Sequence, residues 1–279
     1  MKITIITACR NAAKTLATTL ESVRRQKVEG FELEYIVVDG ASNDGTVEMI
    51  RSWGEKLENG RFSFRWMSEP DRSMYDGVNK GIKMATGDVI GILNADDVFA
   101  ADDVLEKVAR EFSRVEVERC REEGHKEGWL DAVYGDVRFV HRGEYGSVDE
   151  LRRAKTKRYL TGRFFRKWMF RFATFPAHPS TFVRRECYEK YGLHSLEYNI
   201  CADFEMMLRL FVKHNINAKY IPLCTTVMRP DGLSTNGVQS KLDVNAQDLA
   251  ALKAHGIWSC KLLIYSKYLF KIWGYVFTR

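Results

Sequence analysis

Thr86-Gly87-Asp88-Val89-Ile90-Gly91-Ile92-Leu93-Asn94-Ala95-Asp96-Asp97 is an apolar run that leads straight into carboxylates. Val89 to Leu93 reads as a buried strand, and a buried strand ends where water begins. Paired acids at such an edge can share a divalent cation and, through it, a diphosphate. They can equally cap a helix that follows, since Asp is favoured at helix starts. On this stretch alone both readings stand.

Upstream, strand and helix patterns alternate. Ile3 to Thr7, Leu33 to Val38 and Phe62 to Met67 read as strands. Leu16, Leu20 and Val23, then Val47, Met49 and Ile50, then Val78, Ile82 and Ala85 recur at helical spacing. Such alternation predicts an α/β fold, a mostly parallel sheet flanked by helices on both faces. Ligands of these sheets sit outside the carboxyl ends of the strands. Three of those ends are polar: Thr7-Ala8-Cys9-Arg10-Asn11, Asp39-Gly40-Ala41-Ser42-Asn43-Asp44-Gly45, and the acid cluster. Asp39 follows Ile36-Val37-Val38 directly, where a carboxylate can accept hydrogen bonds from a ribose or a base. Asp-Gly and Asn-Asp-Gly are also strong turn formers, and the two roles are compatible.

The 279 residues suffice for one large core or two modest ones, and the net charge of +6 is mild but unevenly placed. Six widely spaced cysteines without a Cys-x-x-Cys pair exclude a zinc knuckle or a compact disulfide framework and fit reduced thiols in a cytoplasmic enzyme. The opening strand starts too early for a signal peptide, and no apolar run reaches the roughly 18–20 residues of a membrane span. Residues 104–128 read as a charged amphipathic helix with a solvated face. Arg152 to Arg171 holds nine basic residues and no acid, interleaved with Tyr159, Phe164, Phe165, Trp168, Met169 and Phe170. That composition suits a phosphate-rich or membrane-surface partner, or a basic helix whose aromatics pack inward. No nucleic-acid motif accompanies it, so no nucleic-acid partner is expected. Near the end, Leu262, Leu269, Ile272 or Trp273, and Val276 make an apolar stripe beside Lys261, Lys267 and Lys271, with no acid nearby in sequence. An interfacial helix, packing on the chain's own body and packing on a second subunit in a homodimer are the competing readings.

The ordered set of motifs resembles the family-two glycosyltransferases. It consists of Thr7 to Asn11, Val37 to Thr46, Glu69-Pro70-Asp71-Arg72-Ser73-Met74-Tyr75-Asp76-Gly77-Val78-Asn79-Lys80-Gly81-Ile82, Ala85 to Asp88, Asn94 to Asp97 and Ala202-Asp203. Tyr75 to Ile82 and His178 to Tyr191 are most similar to bacterial enzymes that build exopolysaccharide, capsule or lipopolysaccharide. The resemblance implies a GT-A fold, a Rossmann-like nucleotide-diphospho-sugar transferase, over residues 1–235. Residues 1–110 would form the nucleotide-sugar-binding half and 111–235 the half with the acceptor and catalytic base. A C-terminal helical extension, 236–279, would follow.

The resemblance also implies roles. Thr7, Ala8, Arg10, Asp39, Asp76, Asn79, Asn94 and Asp96 would bind the donor nucleotide, UDP by family habit, and Asp96 with Asp97 would hold a divalent metal (Mn or Mg). Asn94 stands where relatives carry Asp, which places the metal load on Asp96. Asp203 would be the base of an inverting transfer to a saccharide or lipid-linked saccharide acceptor. Ala202 replaces the usual preceding Glu, and Glu205 is the competing base. Lys80 is either a phosphate partner or a solvated lysine, while Val78 stands where many relatives carry Arg. His178 would meet a sugar or be structural, and Asp231 with Gly232 would belong to a loop closing over the donor. Membrane contact through 152–171 and 261–279 would put the enzyme in the cytoplasm, peripheral on the inner face of the cytoplasmic membrane.

Three other classes compete. A sugar-nucleotide pyrophosphorylase opens with a glycine-rich phosphate loop that Thr7 to Asn11 lacks. A dehydrogenase would show Gly-x-Gly-x-x-Gly after its first strand, which is absent. A catalytically impaired nucleotide-sugar-binding subunit rests on Asn94, Ala202 and Val78 alone.

Overall fold

The computed structural model describes residues 1–57, 62–121, 129–230 and 237–276. Its first half runs β1 (Lys2–Cys9), α1 (Leu16–Arg24), β2 (Glu32–Asp39), α2 (Thr46–Leu57), β3 (Phe62–Ser68), α3 (Met74–Met84), β4 (Val89–Ile92), β5 (Val98–Phe99) and α4 (Val104–Arg121). The second half runs β6 (Ala132–Val140), α5 (Val148–Arg153), β7 (Thr156–Leu160), β8 (Thr181–Arg184), α6 (Arg185–Tyr191), α7 (Ala202–Leu208), β9 (Ala218–Met228), α8 (Gly237–Ala254) and α9 (Lys261–Val276). All strands belong to one sheet of order β3-β2-β1-β4-β8-β6-β9-β5, with β7 paired to β6.

β1 pairs in parallel with both β2 and β4, and β2 pairs in parallel with β3. Strands so placed are covered on both faces, and alternate residues of β2 serve two cores. Leu33, Tyr35 and Val37 join one, and Ile36 and Val38 the other. Chain order reverses between β1 and β4, so a crevice opens beyond their carboxyl ends. Beyond β4 the sheet becomes mixed: β8 joins β4 and β6 antiparallel, and β9 joins β6 in parallel.

The acid cluster does not cap a helix. Asp97 N–H donates to the Asn94 carbonyl (3.1 Å), closing a turn that leads into β5, whereas α4 starts only at Val104. The β5–β9 register pairs Val98 with Val227 and so delivers the end of β9 to this turn.

The basic segment is not a helix either. It ends α5, forms edge strand β7, and then a 3-10 turn over Lys167–Phe172. Phe165 and Phe170 are buried, while Phe164 and Trp168 are exposed. α9 packs on that turn, on β7 and on α8. It turns Ile264 and Lys267 inward and leaves Leu262 and Leu269 exposed. Lys267 therefore departs from the expectation of a cation without an acid, because Asp248 of α8 meets its ammonium at 2.8 Å. Among the described residues, no helix is long and apolar enough to cross a membrane.

α3 lies so close to β1 that a Cβ on Gly81 would collide with Cγ2 of Ile6, itself fully buried. Alanine at Gly81 would gain up to about 1 kcal/mol of helix propensity. Overpacking against a strand that cannot yield costs about 1–3 kcal/mol, so the clash wins. Gly81→Ala is expected to lower the urea unfolding midpoint, and an unchanged or raised midpoint would contradict this packing.

Candidate active site

The crevice continues into a cleft of about 2700 Å³ that runs from the β1 and β4 ends, past the acid turn, to α7 and the C-terminal helices. Small-molecule pockets are commonly about 300–1,000 Å³, so the cleft has room for two substrates together.

At its donor end the loops after β1 and β2 are tied to one another. Asn11 N–H donates to Ser42 Oγ (2.7 Å), Ala12 N–H to Thr46 Oγ1 (2.9 Å) and Ala13 N–H to Asp44 Oδ2 (3.1 Å). Asn11 and Ala41 both adopt positive φ, 52° and 58°. Such backbone is costly outside glycine and persists where its surroundings over-determine it. Ala8 and Arg10 line the cleft.

Several expected donor contacts are engaged elsewhere. Thr7 is buried, and its hydroxyl donates to the Leu93 carbonyl at 2.8 Å. Asp39 is buried and accepts from Ser42 N–H (2.9 Å), Ser42 Oγ and Ser68 Oγ (2.7 Å), which ties the ends of β2 and β3 together. The nearby Cys9 thiol is pushed up, by burial first and then by the Asp39 charge. Asn79 spends its amide on the backbone of His194, donating to its carbonyl (2.9 Å) and accepting from its N–H (3.0 Å). Asp76 accepts from Arg72 N–H (3.1 Å) at the start of α3 and does not line the cleft. Lys80 is neither solvated nor aimed at a ligand: it pairs with Asp71 (2.5 Å) and Glu69 (2.8 Å). Val78 is buried core.

The α3 end instead offers Asp71, which was not singled out from the sequence. It lines the cleft, and a Cβ on Gly77 would lie 2.8 Å from its Oδ2. Gly40 approaches it similarly, at 3.1 Å. Two glycines making room for one acid were the signal, but they lie far apart in sequence.

The acid turn separates its members. Asp96 lines the cleft, partly exposed. Asp97 also borders the cleft but departs from the expected metal pair: it is 1% exposed and spends its oxygens on the protein, accepting from Asn94 Nδ2 (2.8 Å) and Arg229 N–H (3.2 Å). Burial, then the Asp96 charge, raises its carboxyl well above the usual range, against the pull of Asn94 and Arg229. The Arg229 guanidinium also donates to the Asp96 carbonyl, Thr18 Oγ1 (3.1 Å) and the Tyr145 carbonyl (3.3 Å). Among the described residues, no three His, Cys, Asp or Glu side chains surround one point. The donor set thus fits a cation that takes one carboxylate, Asp96, and completes its shell with phosphate and water, as magnesium does. It does not fit an all-protein cage.

At the other end stands Asp203, in the first turn of α7 and partly buried. Burial pushes its carboxyl up to about 6, although Phe204 N–H (2.8 Å) and the Tyr75 hydroxyl favour the ionised form. Glu205 faces away from the cleft, bonded to Arg209 (2.9 Å) and His255 (2.8 Å). His178 lines the cleft and is 8% exposed, with Nε2 unpartnered among the described residues. Burial pushes its pKa down to about 4, so the ring is neutral at pH 7 and can exchange one hydrogen bond with a hydroxyl. Asp231 and Gly232, expected in a closing loop, lie outside the described residues, as do the side chains of Ile272, Trp273 and Val276.

Residues 4–120 match the family model described as glycosyl transferase family 2. The match covers 117 of the 279 residues, so the first part of the chain is similar to this family. A PGL/p-HBAD biosynthesis glycosyltransferase of Mycobacterium bovis is 26% identical over 85% of the chain and 80% of that relative. Among solved structures, S. aureus TarS in complex with UDP-GlcNAc superposes with a TM-score of 0.63 at 14% identity, over 96% of this chain and 72% of that one. A longer TarS structure is spanned to only 44% of its length. A mannosyltransferase from Pyrobaculum calidifontis, in complex with GDP-Man and Mn2+, gives 0.58 at 18% identity, over 99% and 72%. At such identities the likeness is one of fold, and the fold of this chain is GT-A-like.

The His178 ring is expected to stay neutral through the range in which an exposed histidine titrates. Its imidazole NMR signals should not move between pH 5.5 and 8 on the pH scale about the ordinary midpoint of ~6.5. A midpoint near that ordinary value would contradict its burial.

Proposed function

We propose that this chain is a glycosyltransferase that moves a sugar from a nucleoside-diphosphate donor, UDP-linked, to a hydroxyl of a saccharide acceptor, with inversion at the anomeric carbon. The observation that carries the reading is Asp203: one ionisable carboxylate in the wall of a two-substrate cleft that also holds the acid turn. The UDP and UDP-GlcNAc complexes of TarS support the donor class. The mycobacterial relative's name supports cell-surface glycan assembly as the setting.

In this reading the diphosphate lies along the acid turn, with Asp96 toward it. Charge on the departing diphosphate is what a manganese or magnesium ion held at Asp96 would offset; the Mn2+ complex of the mannosyltransferase supports that assignment. The acceptor oxygen bonds to the anomeric carbon as the bond from that carbon to the phosphate oxygen breaks. The electron pair leaves with the diphosphate, and the acceptor proton passes to Asp203. One displacement without a covalent enzyme intermediate inverts the configuration. His178 supplies a neutral hydrogen-bonding group to a sugar hydroxyl.

The exposed Phe164, Trp168, Leu262 and Leu269, beside the acid-free segment 152–171, suit an anionic membrane surface. A lipid-linked acceptor presented at the cytoplasmic face fits this arrangement, and a second copy of the chain is the alternative cover. An impaired binding subunit is less well supported, because Asp203 stands in the cleft while Glu205 is tied up elsewhere.

A base must be deprotonated to act. With Asp203 at about 6, kcat is expected to fall as pH drops below that value and to level off above it. Asp203→Asn is expected to retain nucleotide-sugar binding while turnover drops by ~100-fold or more; unaffected turnover would remove Asp203 from the mechanism. Calorimetry of nucleoside diphosphate binding is expected to show weaker affinity with chelator, and the same for Asp96→Asn. Equal affinity in all conditions would contradict the Asp96 assignment.

A further inference from the structure

α8 and α9 do more than cover the sheet. The turn that leads into Asp203 is held from two sides. From α3, the Tyr75 hydroxyl donates to the Ile200 carbonyl at 2.9 Å. From α8, Gln247 Oε1 accepts both Ile200 N–H (3.1 Å) and Cys201 N–H (3.3 Å), while the Cys201 thiol donates to the Val244 carbonyl (3.5 Å). One residue beyond Gln247, Asp248 forms the 2.8 Å ion pair with Lys267 of α9. Both are 3% exposed, and both line the cleft wall that carries Asp203.

A buried ion pair is a poor source of net stability, since desolvation offsets much of the attraction. What this one supplies is a fixed, mutually cancelling pair of charges beside a carboxylate whose ionisation matters. The charge of Asp203 reaches the pair: burial raises the Asp248 carboxyl, Lys267 and the Cys201 thiol pull it back, and Asp203 pushes it further up. The titratable groups that interact with Asp203 are Tyr75 from α3, Cys201 before α7 and Asp248 from α8, while Lys241 of α8 and Lys267 and Tyr268 of α9 line the same cleft. Glu205, Arg209 and His255 form a separate cluster away from the cleft.

We propose that the C-terminal helix pair is a working part of the catalytic site, with Gln247 and the Asp248–Lys267 pair as positioning residues for Asp203. The proposal rests on Asp203 being the base. Gln247 fixes where its turn stands, and the pair fixes the charge next to it. Deleting one member leaves the other's charge uncompensated, and the sign of that charge decides what happens to the base. A lone Lys267 ammonium favours the carboxylate form of Asp203, and a lone Asp248 carboxylate disfavours it.

The test compares the acidic limbs of kcat against pH for the full-length protein and its variants. Circular dichroism and calorimetric titration of UDP would set the fraction of folded, donor-competent enzyme. Asp248→Asn is expected to move the limb to lower pH and Lys267→Met to higher pH, each by roughly half a unit or more. The double variant is expected to return toward the parent, because it removes both charges. A merely structural pair would reduce the amount of active enzyme without moving the limb in opposite directions. Gln247→Ala, which leaves the pair intact, is expected to lower kcat roughly tenfold or more with the donor KM unchanged. Limbs that stay put or move together, or a normal kcat in Gln247→Ala, would overturn the proposal while leaving the Asp203 base intact. An active Asp203→Asn would instead remove the base reading and the proposal with it.

Discussion

Parallel strands covered on both faces must pair every polar group they bury, and this constraint organises the molecule. Ile3, Ile5 and Ile6 of β1 are wholly shielded, as are Ile36, Val37 and Val38 of β2. Glu34, buried in β2, is held by Thr4, Thr86 and Arg65, and the polar groups left to face a ligand stand at the carboxyl edge. The reversal of strand order between β1 and β4 opens that edge into a crevice. Ala8, Arg10, Asp71 and Asp96 lie along it. Closing the cleft takes the second half of the chain. β9 brings Arg229 back against the acid turn, and α7 sets Asp203 at the opposite end.

Much of this was legible in residue order. Apolar runs and helical spacing located the strands and helices of the first hundred residues, and the acids after Leu93 marked the crevice. Which acid the protein itself engages was not legible, because Asn-x-Asp-Asp is a local pattern and its resolution is not local. Asp97 is engaged because Arg229, 132 residues later, offers it a backbone N–H. Asp39 is likewise engaged by Ser68 across β3, and Asn79 by the backbone of His194. Lys267 looked like a surface cation on an interfacial helix until Asp248 met it in the interior. In each case the sequence displayed a polar group, and the fold decided whether it would spend its hydrogen bonds on the protein or keep them for a ligand.

Three carboxylates near the cleft illustrate how environment distributes work. Asp97 is deeply buried and raised, and its bonds go to Asn94 and Arg229, so it organises the turn. Asp96, on the same turn, stands toward solvent and suits a cation with its phosphate ligands. Asp203 lies between these extremes, at about 6, where a carboxylate is ionised at neutral pH yet basic enough to take a proton from an attacking hydroxyl. Aspartates in these positions differ in chemistry because they differ in burial and partners, not in type.

The central claim is that one carboxylate, Asp203, supports a single displacement. It is tested most directly by the configuration at the new glycosidic bond. Proton NMR of the product formed from an α-linked nucleotide sugar reads that configuration without reference to any variant. The account predicts a β linkage from the first turnovers onward. An α-linked product would mean net retention, and would contradict it.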